Sequence, residues 1–316
     1  MNENKTKTSF TGVVLLLLTA LIWGISFVSQ SEGSKLVESF TFNGIRTVLG
    51  AVVLLPVIFI RDAVTGRSMT EEQLAERKKN DKKTVIYGSF LGIALCLATN
   101  FQQFAFVDPN HSAGKIAFIT AMYMFLVPVI GLLFKKRVPA FTWVCVLIGF
   151  AGLYFLCIDD RGLGAITKSD VLAFICAIFF AIQILLIEKF APECDGVKLS
   201  CVQFFVSGII SCICMFIFET PELSGIKAAL LPILYSGIMS CGVAYTLQII
   251  GQQFCEATIS SLIMCMESVF AVLAEAAFAA WFAMGGKVLS LREITGCAIM
   301  FAAIILSQLM EMKSKN

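Results

Sequence analysis

Of 316 residues, 58% are hydrophobic and only 15% charged, with a mean hydropathy of +0.86; soluble domains carry about 25% charged residues, so this composition calls for a lipid solvent. A net charge of +2 supplies neither the basic field of a nucleic-acid binder nor a solvating acidic tail. Twelve cysteines sit mostly in apolar runs, no C-x-x-C pair occurs, and His111 is the single histidine, which excludes a disulfide framework and the usual zinc, haem and redox spacings; no cofactor or metal is expected.

Taken in chain order, apolar runs long enough to cross a bilayer, about 20 residues each, predict spans at 11–31, 40–60, 84–106, 112–134, 139–158, 169–189, 199–218, 227–250, 257–284 and 289–311. The first follows Lys5 and Lys7 like a secretory signal, but Ser29-Gln30-Ser31-Glu32 offers no small-residue cleavage site, so it reads as a span. The segment 61–83 is the one long polar connection, and Glu71, Glu72 and Glu76 alternating with Arg77 to Lys79 predict a solvated helix. The run 257–284 exceeds one bilayer thickness and must tilt, kink or extend along the interface. Pro56 and Pro128 fall inside spans, and Gly88-x-x-x-Gly92 permits a close helix approach.

With the N-terminus in the cytoplasm, sixteen Lys and Arg residues fall on inner segments and six on outer ones, with Arg46 and Lys115 inside spans. The excess of inner positive charge predicts cytoplasmic termini and an even number of spans in the cell membrane.

Sliding the chain on itself predicts a duplication. At an offset of 157, Leu15 lies over Leu172, Ala20 over Ala177, Ile25 over Ile182 and Arg46 over Gln203; at 145, Cys96 lies over Cys241 and Gln103 over Gln248. The fold expected is an all-α membrane protein of about ten transmembrane helices in two inverted five-helix repeats, residues 1–158 with the cytoplasmic connection 61–83, and residues 169–311. An odd number of spans per unit forces the second copy in upside down, the arrangement of many secondary transporters, whose sites lie near the midplane.

Polar side chains inside spans are costly and face the bundle interior. Thr99, Asn100, Gln102 and Gln103 in the third span match Tyr245, Gln248, Gln252 and Gln253 in the eighth. Such amides suit a zwitterionic or hydrogen-bonding solute, or else join helix to helix. Glu267 lies well inside the ninth run, where it can bind a substrate amine, couple to a proton, or pair with Arg46 or Lys115. Glu275 stands about 80° around the helix from it, so the two carboxylates need not share a face. Trp23 and Tyr123 can line a cavity and stack on a flat solute, or serve packing and interface anchoring.

Leu21-Ile22-Trp23-Gly24 in the first span, Gly44-Ile45-Arg46 in the second, Gly242 to Gln248 in the eighth and Glu267-Ser268-Val269-Phe270-Ala271 in the ninth resemble the EamA family of the drug/metabolite transporter superfamily, along nearly the full length. The resemblance implies ten helices in two inverted repeats around a central cavity, and transport, often export, of amino acids or other metabolites. Carried over by position, the substrate-binding residues it implies are Trp23, Arg46, Asn100, Gln103, Tyr123, Tyr245, Gln248 and Glu267. The chain departs where members commonly show Gly-Glu just before spans five and ten, reading Lys135-Lys136 and Gly286-Lys287 instead.

The expected partners are a small-molecule substrate and membrane lipid, with protons as a candidate coupling ion and no nucleic acid; oligomeric state is not legible. A membrane enzyme would want a serine with a base, paired aspartates or a metal, and an ATP-driven pump a G-x-x-x-x-G-K-[ST] loop; neither pattern is present. A channel or facilitator is the nearer alternative, though no ring of like charges or filter motif marks a pore.

Overall fold

The computed structural model describes residues 9–66, 70–108, 113–135, 138–158, 166–281 and 290–313, and among them there is helix and no strand. His111, Lys136, Gly286, Lys287 and the end of the predicted ninth span lie outside the described residues, as do the side chains of Lys115 and Glu275.

Helices α1 (Phe10–Gly33) and α2 (Ser39–Gly66) form an antiparallel pair, and α3 (Glu71–Ala105) follows after a short connection. The polar segment 61–83 is therefore mostly the ends of two long helices. Thr70 and Gln73 form a capping box, with Glu71 and Glu72 in the first turn, so this polar sequence starts α3 on its own chemistry. Next come α4 (Ala113–Thr120), α5 (Tyr123–Leu133) and α6 (Ala140–Cys157). The second half holds α7 (Lys168–Phe190), α8 (Gly196–Phe218), α9 (Leu223–Ala228), α10 (Leu230–Leu234), a π-helix over Tyr235–Tyr245, α11 (Thr246–Gln252), α12 (Ala257–Met264), α13 (Met266–Trp281) and α14 (Leu291–Lys313).

Among the described residues eight stretches are long and apolar enough to cross a membrane, the longest Glu71–Ala105, and Ala140–Leu156 is a shorter apolar helix. The chain is a multi-pass membrane protein. Large apolar side chains such as Phe59, Phe216 and Phe218 are exposed on its outside, as lipid-facing side chains are.

Three predicted spans are not single helices. The fourth breaks between α4 and α5, the ninth at Cys265, and the eighth at Ala229 before winding as π-helix. At the first two breaks the backbone tightens to three-residue bonds, Met122 N–H to Ile119 O at 3.1 Å and Ser268 N–H to Cys265 O at 3.1 Å. Apolar periodicity cannot show such breaks, because neither segment contains a glycine or proline there. α4 ends at Thr120 and α12 at Met264, each at its break, a separation close to the offset of 145 that lays Cys96 over Cys241. The two breaks therefore occupy matching places in the two halves.

Packing relies on small residues, as expected where lipid leaves little hydrophobic drive between helices. α2 runs along α8, α3 along α7 and α8, α1 along α13, and α6 along α14. A Cβ on Gly152 would lie 2.8 Å from Met300 Cγ and 3.0 Å from Gly296 O, and one on Gly296 would lie 2.7 Å from Gly152 O. Helices α6 and α14 thus cross glycine on glycine, at matching positions of the two halves. Gly88 and Gly92 seat Val202 and Val206 of α8 at 2.7 Å from their would-be Cβ atoms, the close approach their spacing predicts.

The α2–α8 pair is fastened at both ends. At one end Glu219 accepts hydrogen bonds from Phe40 N–H and Thr41 N–H, each at 2.7 Å, and from Thr41 Oγ1 at 2.8 Å. A carboxylate there satisfies donors that a helix start leaves unpaired. At the other end Arg61 meets Asp195 at 2.8 Å, and Lys198 meets Asp81 at 2.7 Å and Asp62 at 3.0 Å, with Arg77 also on Asp62.

Candidate functional site

Between the two halves lies a narrow cavity of about 20 Å³, room for little more than a water molecule in this conformation. α1 contributes Trp23, Phe27 and Gln30, α2 Arg46, α3 Gln102, α5 Tyr123 and α7 Phe180 and Ile184. The π-helix adds Ser240 and Tyr245, α11 Gln248 and α13 Glu267. Trp23 and Phe180, like Phe27 and Ile184, stand at the offset of 157 already visible in the sequence, so matching positions of both halves face one space.

The walls are aromatic. The Trp23 and Tyr245 rings lie 4.6 Å apart, Phe204 packs edge-on against Tyr245 at 5.5 Å, and Tyr123 meets Phe180 at 6.4 Å. Gly24 makes this wall possible: its would-be Cβ falls 2.5 Å from Phe270 Cβ and 2.8 Å from Glu267 O. The first-span motif Leu21 to Gly24 and the ninth-span motif Glu267 to Ala271 are thus two sides of one tight crossing.

The broken helices place the polar groups. Tyr123 and Glu267 stand at matching places just past the two breaks, and Tyr123 OH donates to Glu267 Oε1 at 2.9 Å. Cys265 Sγ donates to Ala121 O at 3.4 Å, so one break supplies a partner for a carbonyl at the other. Glu267 is 5% exposed, and a carboxylate at such depth persists only with hydrogen-bonded support. Among the described residues no ion pair joins it to Arg46.

Arg46 donates from Nε to Asn43 Oδ1 at 2.7 Å and lies over the Phe42 ring at 5.3 Å. Asn43 in turn donates to Thr99 O at 2.9 Å and Asn100 Oδ1 at 3.0 Å. Asn100 therefore stands behind the cavity wall, and Gln103, whose Nε2 reaches Gln30 O at 3.3 Å, does too. The other six sequence-proposed residues, Trp23, Arg46, Tyr123, Tyr245, Gln248 and Glu267, share the cavity.

Gln248 exchanges hydrogen bonds with Gln183, and Gln183 also reaches Gln203 Oε1 at 3.4 Å, so buried amides of three second-half helices close on one another. Sequence reasoning passed over Gln183, Asn43, Phe180 and Ser240. Asn43 and Gln183 carry the usual signal of a polar residue inside a span, whereas Phe180 and Ser240 carry none. Trp23 Nε1 and Gln30 Oε1 are buried without a hydrogen-bond partner among the described residues, which leaves the cavity a free donor and a free acceptor. Among the described residues no cluster of three His, Cys, Asp or Glu is placed to hold a metal ion.

Two stretches, residues 10–158 and 167–309, match the EamA-like transporter family. The chain belongs to the EamA-like transporter family. It is 27% identical over 295 residues to an uncharacterized transporter of Archaeoglobus fulgidus, covering 93% of this chain and 84% of that protein. A crystal structure sharing 16% identity superposes with a TM-score of 0.72 over 98% of this chain and 100% of its own, which establishes a common fold. The chain is accordingly a membrane transporter with a small-molecule substrate in a lipid setting.

Proposed function

We propose that this EamA-family protein is a secondary transporter, acting as an exporter of amino acids or other small metabolites across the cytoplasmic membrane by alternating access. Ten spans form two inverted five-helix units, residues 1–158 and 169–311, with both termini in the cytoplasm. The two family matches, the helix breaks at matching places and the Gly152–Gly296 crossing support the duplication; the Lys and Arg distribution supports the orientation.

The observation that carries the reading is the cavity itself. It lies between the halves, is lined by matching positions of both, and combines an aromatic wall with one buried cation and one buried carboxyl group that do not pair with each other. Substrate is held by Trp23, Arg46, Tyr123, Tyr245, Gln248 and Glu267, with Asn100 and Gln103 supporting them from behind. Glu267, bonded to a tyrosine rather than a cation, is free to exchange a substrate amine or a proton, which makes it the site of any proton coupling. A transporter is favoured over an enzyme by the family match along both halves and by the relative that is itself named a transporter.

The test is uptake and efflux in proteoliposomes with a panel of labelled amino acids and other polar metabolites, with and without a pH gradient. At least one solute moves, and Gln248→Ala or Glu267→Gln slows it by about tenfold, the effect of losing one buried hydrogen bond of about 1.4 kcal/mol. Flux unchanged in both variants removes these residues from the path.

A further inference from the structure

Arg46 carries a charge that no described residue neutralises. The residue is 2% exposed, yet its Nε donates to a neutral amide, Asn43 Oδ1 at 2.7 Å, and its guanidinium rests on Phe42. Among the described residues neither terminal nitrogen has a hydrogen-bond or ion-pair partner, although Arg46 lines the cavity. Four N–H donors in a flat fork thus remain for a ligand.

Asn43 is itself locked. Its Nδ2 donates to Thr99 O and Asn100 Oδ1, and Asn100 Nδ2 donates onward to Cys96 O at 2.8 Å and Ser211 Oγ at 2.9 Å. The chain Ser211, Asn100, Asn43, Arg46 crosses α8, α3 and α2 and is buried at every link. A carboxylate at position 43 would satisfy Nε equally well but neutralise the cation before any solute arrived; an amide fixes the fork and leaves its charge available.

We infer that Arg46 is the anchor for a carboxylate on the transported solute, and that Asn43 is the residue that positions Arg46 while leaving its charge open to that solute. This rests on the transport reading above. The solute class it names is that of small carboxylates, with the carboxylate taken bidentately by the two terminal nitrogens.

The test compares solutes that differ only in that group: phenylalanine with phenylalaninamide, leucine with leucinamide, lactate with lactamide. Each competes against the labelled solute best moved by wild-type proteoliposomes. The wild type is predicted to prefer the carboxylate member by about tenfold or more in at least one pair. Asn43→Asp lowers that ratio below about twofold through KM, with maximal flux less affected, while Arg46→Lys weakens carboxylates but keeps the sign of the preference. A purely structural role for Asn43 would depress flux of every solute alike and leave the ratio standing. Folding is followed by detergent elution and thermal midpoint; should Asn43→Asp unfold, Asn100→Ala reads the same ratio, which falls severalfold. Equal competition by acids and amides in the wild type, or a folded Asn43→Asp that keeps the wild-type ratio, overturns the inference while the transport reading stands. Failure of the wild type to move any solute overturns the transport reading and this one with it.

Discussion

Tyr123 and Glu267 meet where two broken helices face each other, and the 2.9 Å hydrogen bond between them is the only one the Glu267 side chain makes among the described residues. Tyr123→Phe removes the donor and leaves a carboxyl group that is only 5% exposed without support, which costs about 1–3 kcal/mol; thermal midpoint in detergent and transport rate both fall, and a variant indistinguishable from wild type in both would deny the bond any role. Lys135 presents the opposite case. It adopts φ 59°, the only positive φ among described residues other than glycine, just after α5, where its N–H closes onto Leu132 O at 2.9 Å. That is a helix stop that glycine takes without steric cost, and it falls where members of the family commonly carry the glycine of a Gly-Glu pair. Lys135→Gly is predicted to raise stability by up to about 1 kcal/mol, the left-handed strain removed less the added freedom of the unfolded chain; a lower thermal midpoint would contradict it.

At the scale of elements, Glu219 joins the end of α8 to the start of α2 by three short hydrogen bonds. Glu219→Ala leaves two helix-start N–H groups unpaired and is predicted to cost about 1–2 kcal/mol, read as a lower thermal midpoint, whereas Glu32→Ala, whose exposed pair with Lys35 lies at the end of α1, changes it little. Most elements were legible in the sequence, because an apolar run of bilayer length has few other fates. What escaped it has physical causes. The break at Cys265 lies in Met264-Cys265-Met266, which any helix accepts; tertiary contact, including the Cys265 bond to Ala121 O, accompanies it. The π-helix over Tyr235–Tyr245 has no periodic signature of its own, though Gly237 and Gly242 in it bring Leu49 and Val53 of α2 within 2.6 Å and 3.4 Å of their would-be Cβ atoms. Within the site, the residues that announced themselves were the polar ones; Asn100 and Gln103 carried the same signal as Gln248 but stand one layer back, since a buried amide that supports a neighbour looks in sequence like one that meets a solute.

For the whole molecule, matched positions of the two halves line one cavity and matched helix breaks set Tyr123 and Glu267 in its wall, which describes a chain folded twice over the same plan. If the units are inverted, tags at the N- and C-termini react from the cytoplasmic side alone; labelling on opposite sides would break that symmetry. An inverted pair can exchange the conformations of its halves and so expose one cavity to each side in turn, which a channel need not do. Counterflow separates the two most directly. Proteoliposomes preloaded with unlabelled substrate are predicted to take up labelled substrate faster than empty ones, saturably, and Glu267→Gln to abolish the stimulation. Uptake that rises linearly with concentration and ignores the internal solute would contradict alternating access through this cavity.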